Sequence, residues 1–109
     1  MPYNERLAER IGEIVADQPG LNSRKMFGGI AFMLNGHMCC GVVGDDLMVR
    51  VGSDAYDDAL SMPGARPMDF TGRPMKGMIY VGADSISSRD ELASWVRRGV
   101  DFAGSLPPK

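Results

Sequence analysis

Apolar positions in this chain follow two different periods. Near the N-terminus, Leu7, Ile11, Ile14 and Val15 fall at i, i+4, i+7 and i+8. That is one stripe of a 3.6-residue period and predicts a helix from Tyr3 to Asp17. Asn4 is its N-cap and Pro19-Gly20 its stop. Its polar side (Glu5, Arg6, Glu9, Arg10, Glu13) reads as a solvated face. From Arg24 to Val51 the period shortens to two, predicting three strands joined by tight turns. Ser23 to Phe27 reads as a short first strand or an extended entry. Asn35-Gly36 specifies a two-residue type I′ hairpin, so Leu34 should face His37, Met33 face Met38, Phe32 face Cys39 and Ala31 face Cys40. A second turn at Asp45-Asp46 would pair Gly44 with Leu47, Val43 with Met48 and Val42 with Val49.

Downstream, Ser53 to Ser61 has the caps and apolar side of a short helix. Ala65 to Met75 is loop-like, with a short strand expected at Met68 to Phe70. Lys76 to Val81 reads as a last strand, Met78 and Tyr80 on one face, Ile79 and Val81 on the other. Ser88 with Glu91 has capping-box spacing and opens a final helix whose stripe is Leu92, Trp95, Val96 and Phe102. Gly99 inside it marks a weak spot or a close contact. The fold class is therefore α+β: an N-terminal helix, an antiparallel β-meander, a short helix, a further strand, and a C-terminal helix packed on the sheet. One domain spanning 1–109 is expected, with 104–109 as an extended tail.

Alternation divides the sheet into unequal faces. Ala31, Met33, Met38, Cys40, Val42, Leu47, Val49 and Val51 are all apolar and form the expected core face. Ile30, Phe32, Leu34, His37, Cys39, Val43, Met48 and Arg50 form the other. That second face is too apolar for plain solvation, so Ile30, Phe32, Leu34, His37 and Met48 are candidate interface positions for a protein partner or a homodimer.

Composition narrows the function classes. The chain has 109 residues, 44% apolar and 24% charged, which suits one self-sufficient globular domain. A net charge of -2 disfavours direct nucleic-acid binding, which needs a dense basic surface. No apolar run approaches the roughly 20 residues of a membrane span, and no secretory pattern opens the chain, so the cytoplasm is the expected compartment. Nine methionines are the compositional oddity; methionine fills irregular cores and recurs on adaptable binding surfaces.

The candidate chemistry is thin. His37-x-Cys39-Cys40 is a tempting metal motif, but adjacent strand residues point to opposite faces, so the two sulfurs should not share an ion. No metal or other cofactor is expected. His37 and Cys39 lack an orienting Asn or Asp for nucleophilic catalysis, and no catalytic residue is assigned; whether the domain is an enzyme stays open. Gly28-Gly29 after Arg24-Lys25 lacks the rest of a phosphate-binding fingerprint and leads into a strand, so a bulge or tight bend is expected. A small-anion or small-molecule site, as binder or enzyme, would have to gather Arg24, Lys25, Arg73 and Lys76.

One resemblance is legible. Arg24-Lys25-Met26-Phe27-Gly28-Gly29, followed by an apolar strand and Asn-Gly, resembles the N-terminal domain of the TfoX/Sxy competence regulators. Arg73-Pro74-Met75-Lys76-Gly77, the Glu91-Leu92-x-x-Trp95-Val96 helix and the Leu106-Pro107-Pro108-Lys109 ending look like the short stand-alone members. The resemblance implies the same α+β order and a role near transcriptional regulation of DNA uptake. It supplies no catalytic residues. The regulators carry a further helical domain that this sequence, ending at Lys109, is expected to lack, so the expected role is a non-enzymatic protein-interaction module.

Overall fold

The computed structural model describes residues 3–26, 28–68 and 77–107. The chain runs α1 (Glu5–Ile14), β1 (Leu21–Met26), β2 (Gly29–Leu34), β3 (His37–Val43), β4 (Asp46–Arg50), α2 (Tyr56–Leu60), β5 (Ala65–Pro67), β6 (Met78–Val81) and α3 (Arg89–Gly104). The strands form one antiparallel sheet in the order β1-β2-β3-β4-β6-β5. The fold class is the α+β arrangement read from the sequence. No helix among the described residues is long and apolar enough to cross a membrane.

Local chemistry sets the element ends. The Asn4 side chain accepts the Leu7 N–H at 3.0 Å, capping α1. Ser88 and Glu91 form the reciprocal capping box of α3. Asn35 (φ 52°) and Gly36 (φ 88°) are both left-handed, as a type I′ turn demands, and Leu34 pairs with His37.

Past that turn the register departs from simple alternation. Met33 faces Met38, but Phe32 faces Cys40 and Ala31 faces Gly41. Cys39 is an extra residue, a β-bulge. The layer above fits this bulge: a Cβ on Gly99 of α3 would run into the Cys39 carbonyl oxygen, so the bare glycine lets the helix seat on the bulged backbone. The next turn is corrected too. It uses Gly44-Asp45, not Asp45-Asp46, so Val43 faces Asp46, Val42 faces Leu47 and Gly41 faces Met48. Gly44 has φ 58° and Asp45 is not left-handed, which matches a type II′ turn with glycine first.

The bulge moves β2 by one residue against β3, and such a slip exchanges the faces. Phe32 and Leu34, expected on the partner-facing side, are core residues at 5% and 2% exposure, and they join Cys40, Val42, Leu47 and Val49 beneath α1 and α3. Ala31 is correspondingly on the opposite face, in the row Arg24-Ala31-Gly41-Met48-Tyr80-Arg66. Leu7 and Ile11 of α1, and Leu92, Trp95 and Val96 of α3, complete the main core. Each such buried side chain contributes about 1.5–3 kcal/mol. A second apolar cluster, Met48, Met68 and Met78 with Met38, Val43 and Tyr80, lies across the sheet from the helices. The split of Met78 and Tyr80 from Ile79 and Val81 is as expected.

The short strand in the connector is β5 at Ala65–Pro67, earlier than the expected Met68 to Phe70. Asp69 and Phe70 lie outside the described residues.

Candidate functional site

The two sheet edges differ. β5 is a three-residue strand ending in proline, and a proline blunts an edge. β1 is six residues long and proline-free, and Asn22, Ser23, Arg24 and Lys25 are exposed. The direction of its backbone groups follows from one bond. Asn35 N–H donates to the Gly20 carbonyl at 3.0 Å, and Gly20 and Asn35 continue the β1–β2 register. Bonded pairs alternate in an antiparallel ladder. Asn22 and Arg24 therefore bond inward to β2, whereas Leu21, Ser23 and Lys25 direct N–H and C=O away from the sheet.

Beside this edge lies a groove of about 390 Å³ on the helix side, lined by Tyr3, Glu5, Ala8, Glu9, Ser23, Ile30 and Phe32. It exists because α1 packs on β3 and α3, leaving the helix side of β1 and part of β2 uncovered. Its floor is apolar. Its α1 wall is acidic, because Glu5 and Glu9 fall four residues apart on one helix face. On β1, Ser23 and Lys25 share the helix side with Ile30 and Phe32.

The expected site residues distribute unevenly around this feature. Ile30 and Phe32 meet at the groove. Leu34 is buried in the core, and Met48, fully buried, is on the opposite face above Gly41. His37 is half-buried at the start of β3, its Nε2 2.7 Å from the Pro107 carbonyl, so it ties down the chain after α3. Arg24 and Lys25 are exposed, but adjacent strand positions send them to opposite faces; they do not converge on one anion. Phe27, Arg73 and Lys76 lie outside the described residues. Met26 and Gly29 pair across the β1–β2 turn, where Gly28 is left-handed (φ 73°). A Cβ on Gly29 would strike the Val42 carbonyl oxygen, so the double glycine is the tight bend the sequence suggested.

The cysteine pair needs a second correction. The bulge brings the two sulfurs to 4.0 Å instead of to opposite faces, and both residues are fully buried. The Cys39 thiol donates to the Phe32 carbonyl at 3.2 Å. Contact with Cys39, and then burial, pushes the Cys40 thiol well above the ordinary thiol range. The same contact draws Cys39 down, against burial. Apart from these thiols, the Tyr56 phenol and the Trp95 indole, every buried side chain among the described residues is apolar, and no three His, Cys, Asp or Glu residues among them are grouped to hold a metal.

Sequence reasoning missed Ser23, Glu5 and Glu9. The i, i+4 spacing of the glutamates was visible, but which strand they overhang was not.

No curated protein matches the chain. The family profile described as the TfoX N-terminal domain matches residues 13–103, from the last turn of α1 to the last turn of α3. That stretch holds the whole sheet and the Arg24–Gly29 turn, and by it the chain belongs to the TfoX N-terminal domain family.

Proposed function

We propose that this domain is a non-enzymatic protein-interaction module, and that it presents the β1 side of its sheet to a partner chain. One observation carries the reading: Leu21, Ser23 and Lys25 turn unpaired backbone groups outward beside an apolar groove with an acidic wall. An exposed edge of this kind accepts a further strand through main-chain bonds, and the groove beside it supplies specificity. The wider setting we propose is transcriptional regulation of the TfoX type.

Ser23→Pro tests this cleanly. The Ser23 N–H points outward, so proline removes an edge donor and leaves the β1–β2 ladder intact. Proximity labelling with the wild-type domain and with Ser23→Pro should show a set of protein neighbours that the variant loses. Identical neighbours for both would overturn the reading.

A further inference from the structure

Resting on that reading, we infer that the strand received by the β1 edge is β1 of a second copy, paired antiparallel about Ser23.

The register follows from the outward set. A two-fold axis at Ser23 sets Ser23 against Ser23, Lys25 against Leu21 and Leu21 against Lys25. Every outward-facing residue of one copy then meets an outward-facing residue of the other, and each pair exchanges two bonds. Other centres fail. An axis at Leu21 or Asn22 brings Pro19, which has no N–H, against Ser23 or Lys25. An axis at Arg24 or Lys25 sets like charges directly opposite each other.

Charge then favours the one remaining register. Edge lysines normally discourage pairing. Here Arg24 lies opposite Asn22 of the second copy, and Lys25 lies opposite Leu21. An axis perpendicular to the sheet keeps both helix layers on one side, so the two grooves join into one channel. Lys25 enters that channel on the same side as the acidic wall, Glu5 and Glu9, of the second copy.

The test is a cysteine scan with sedimentation. Paired Cβ atoms at such a hydrogen-bonded position are about 5.5 Å apart, beyond an unstrained disulfide but within reach of a short thiol-specific cross-linker. Ser23→Cys should give a covalently linked dimer with that reagent. Lys25→Cys alone should not, but it should cross-link when mixed with Leu21→Cys. The native cysteines are fully buried and do not compete. Wild type should sediment as a dimer, and both Ser23→Pro and Lys25→Glu should weaken it at least tenfold with unchanged circular dichroism. A dimer in which Ser23→Cys stays unlinked would overturn the register. A monomer at about 100 μM would overturn the second copy as partner; if its wild-type neighbours were still lost in Ser23→Pro, the interaction-module reading would survive alone.

Discussion

At the scale of single residues, contacts without side chains carry much of the specificity. Gly99 is buried in α3 where helix and bulge touch. Gly99→Ala should cost about 1–3 kcal/mol through overpacking, measured as a lowered urea midpoint; an unchanged midpoint would mean that the helix does not seat on Cys39. The thiols make a second expectation. Because Cys40 has its folded pKa raised above the unfolded value, the native state holds that proton longer. The stability it contributes is complete below the unfolded thiol value of about 8.5 and is lost as pH rises above it. The denaturation midpoint should therefore fall as pH rises from about 8.5 toward 10, the larger shift of Cys40 outweighing the opposite one of Cys39, and fall less in Cys40→Ala. For Glu91 the sign is opposite. Bonds from Ser88 hold its carboxyl below the usual range, so its contribution is present above the unfolded carboxylate pKa and is lost as pH falls through the folded value.

At the scale of elements, caps and turns act locally and their effects are separable. Ser88→Ala removes the acceptor for the Glu91 N–H and should destabilise by about 1 kcal/mol, read from thermal melts. Met48→Ala tests the far face of the sheet. Met48 is fully buried beside Met68 and Met78, and its loss should cost about 2–5 kcal/mol, although no helix among the described residues covers it. A cost under about 0.5 kcal/mol would show that this cluster is loosely packed.

At the scale of the whole molecule, one sheet joins the two apolar clusters. β4 contributes Leu47 and Val49 to the helix side and Met48 to the other, so neither side can open without disturbing the strand they share. Unfolding is expected to be two-state. The single tryptophan, Trp95, is in the main core at 4% exposure, and its fluorescence transition in urea should coincide with that of far-UV circular dichroism. Separate transitions would mean that the helix layer detaches first.

The amino-acid sequence determined by itself what depends on near neighbours. Asn4 and Ser88 cap their helices because the acceptor and the N–H lie three residues apart. Asn35-Gly36 makes its hairpin because both residues tolerate positive φ. The element order and the family resemblance belong to this level, and so does the Gly44-Asp45 turn, whose glycine-first signal was there to be read. Which face each strand residue takes was decided only in the tertiary structure. The bulge at Cys39 moves Phe32 and Leu34 from the expected interface into the core, and it forms where α3, sixty residues further on, places a bare glycine against the strand. The open edge is of the same kind. Leu21, Ser23 and Lys25 read as an ordinary strand, and leave an open edge only because β1 is last in the sheet and α1 packs on β3 and α3 instead. Long-range packing sets both outcomes, and no window of neighbouring residues contains it.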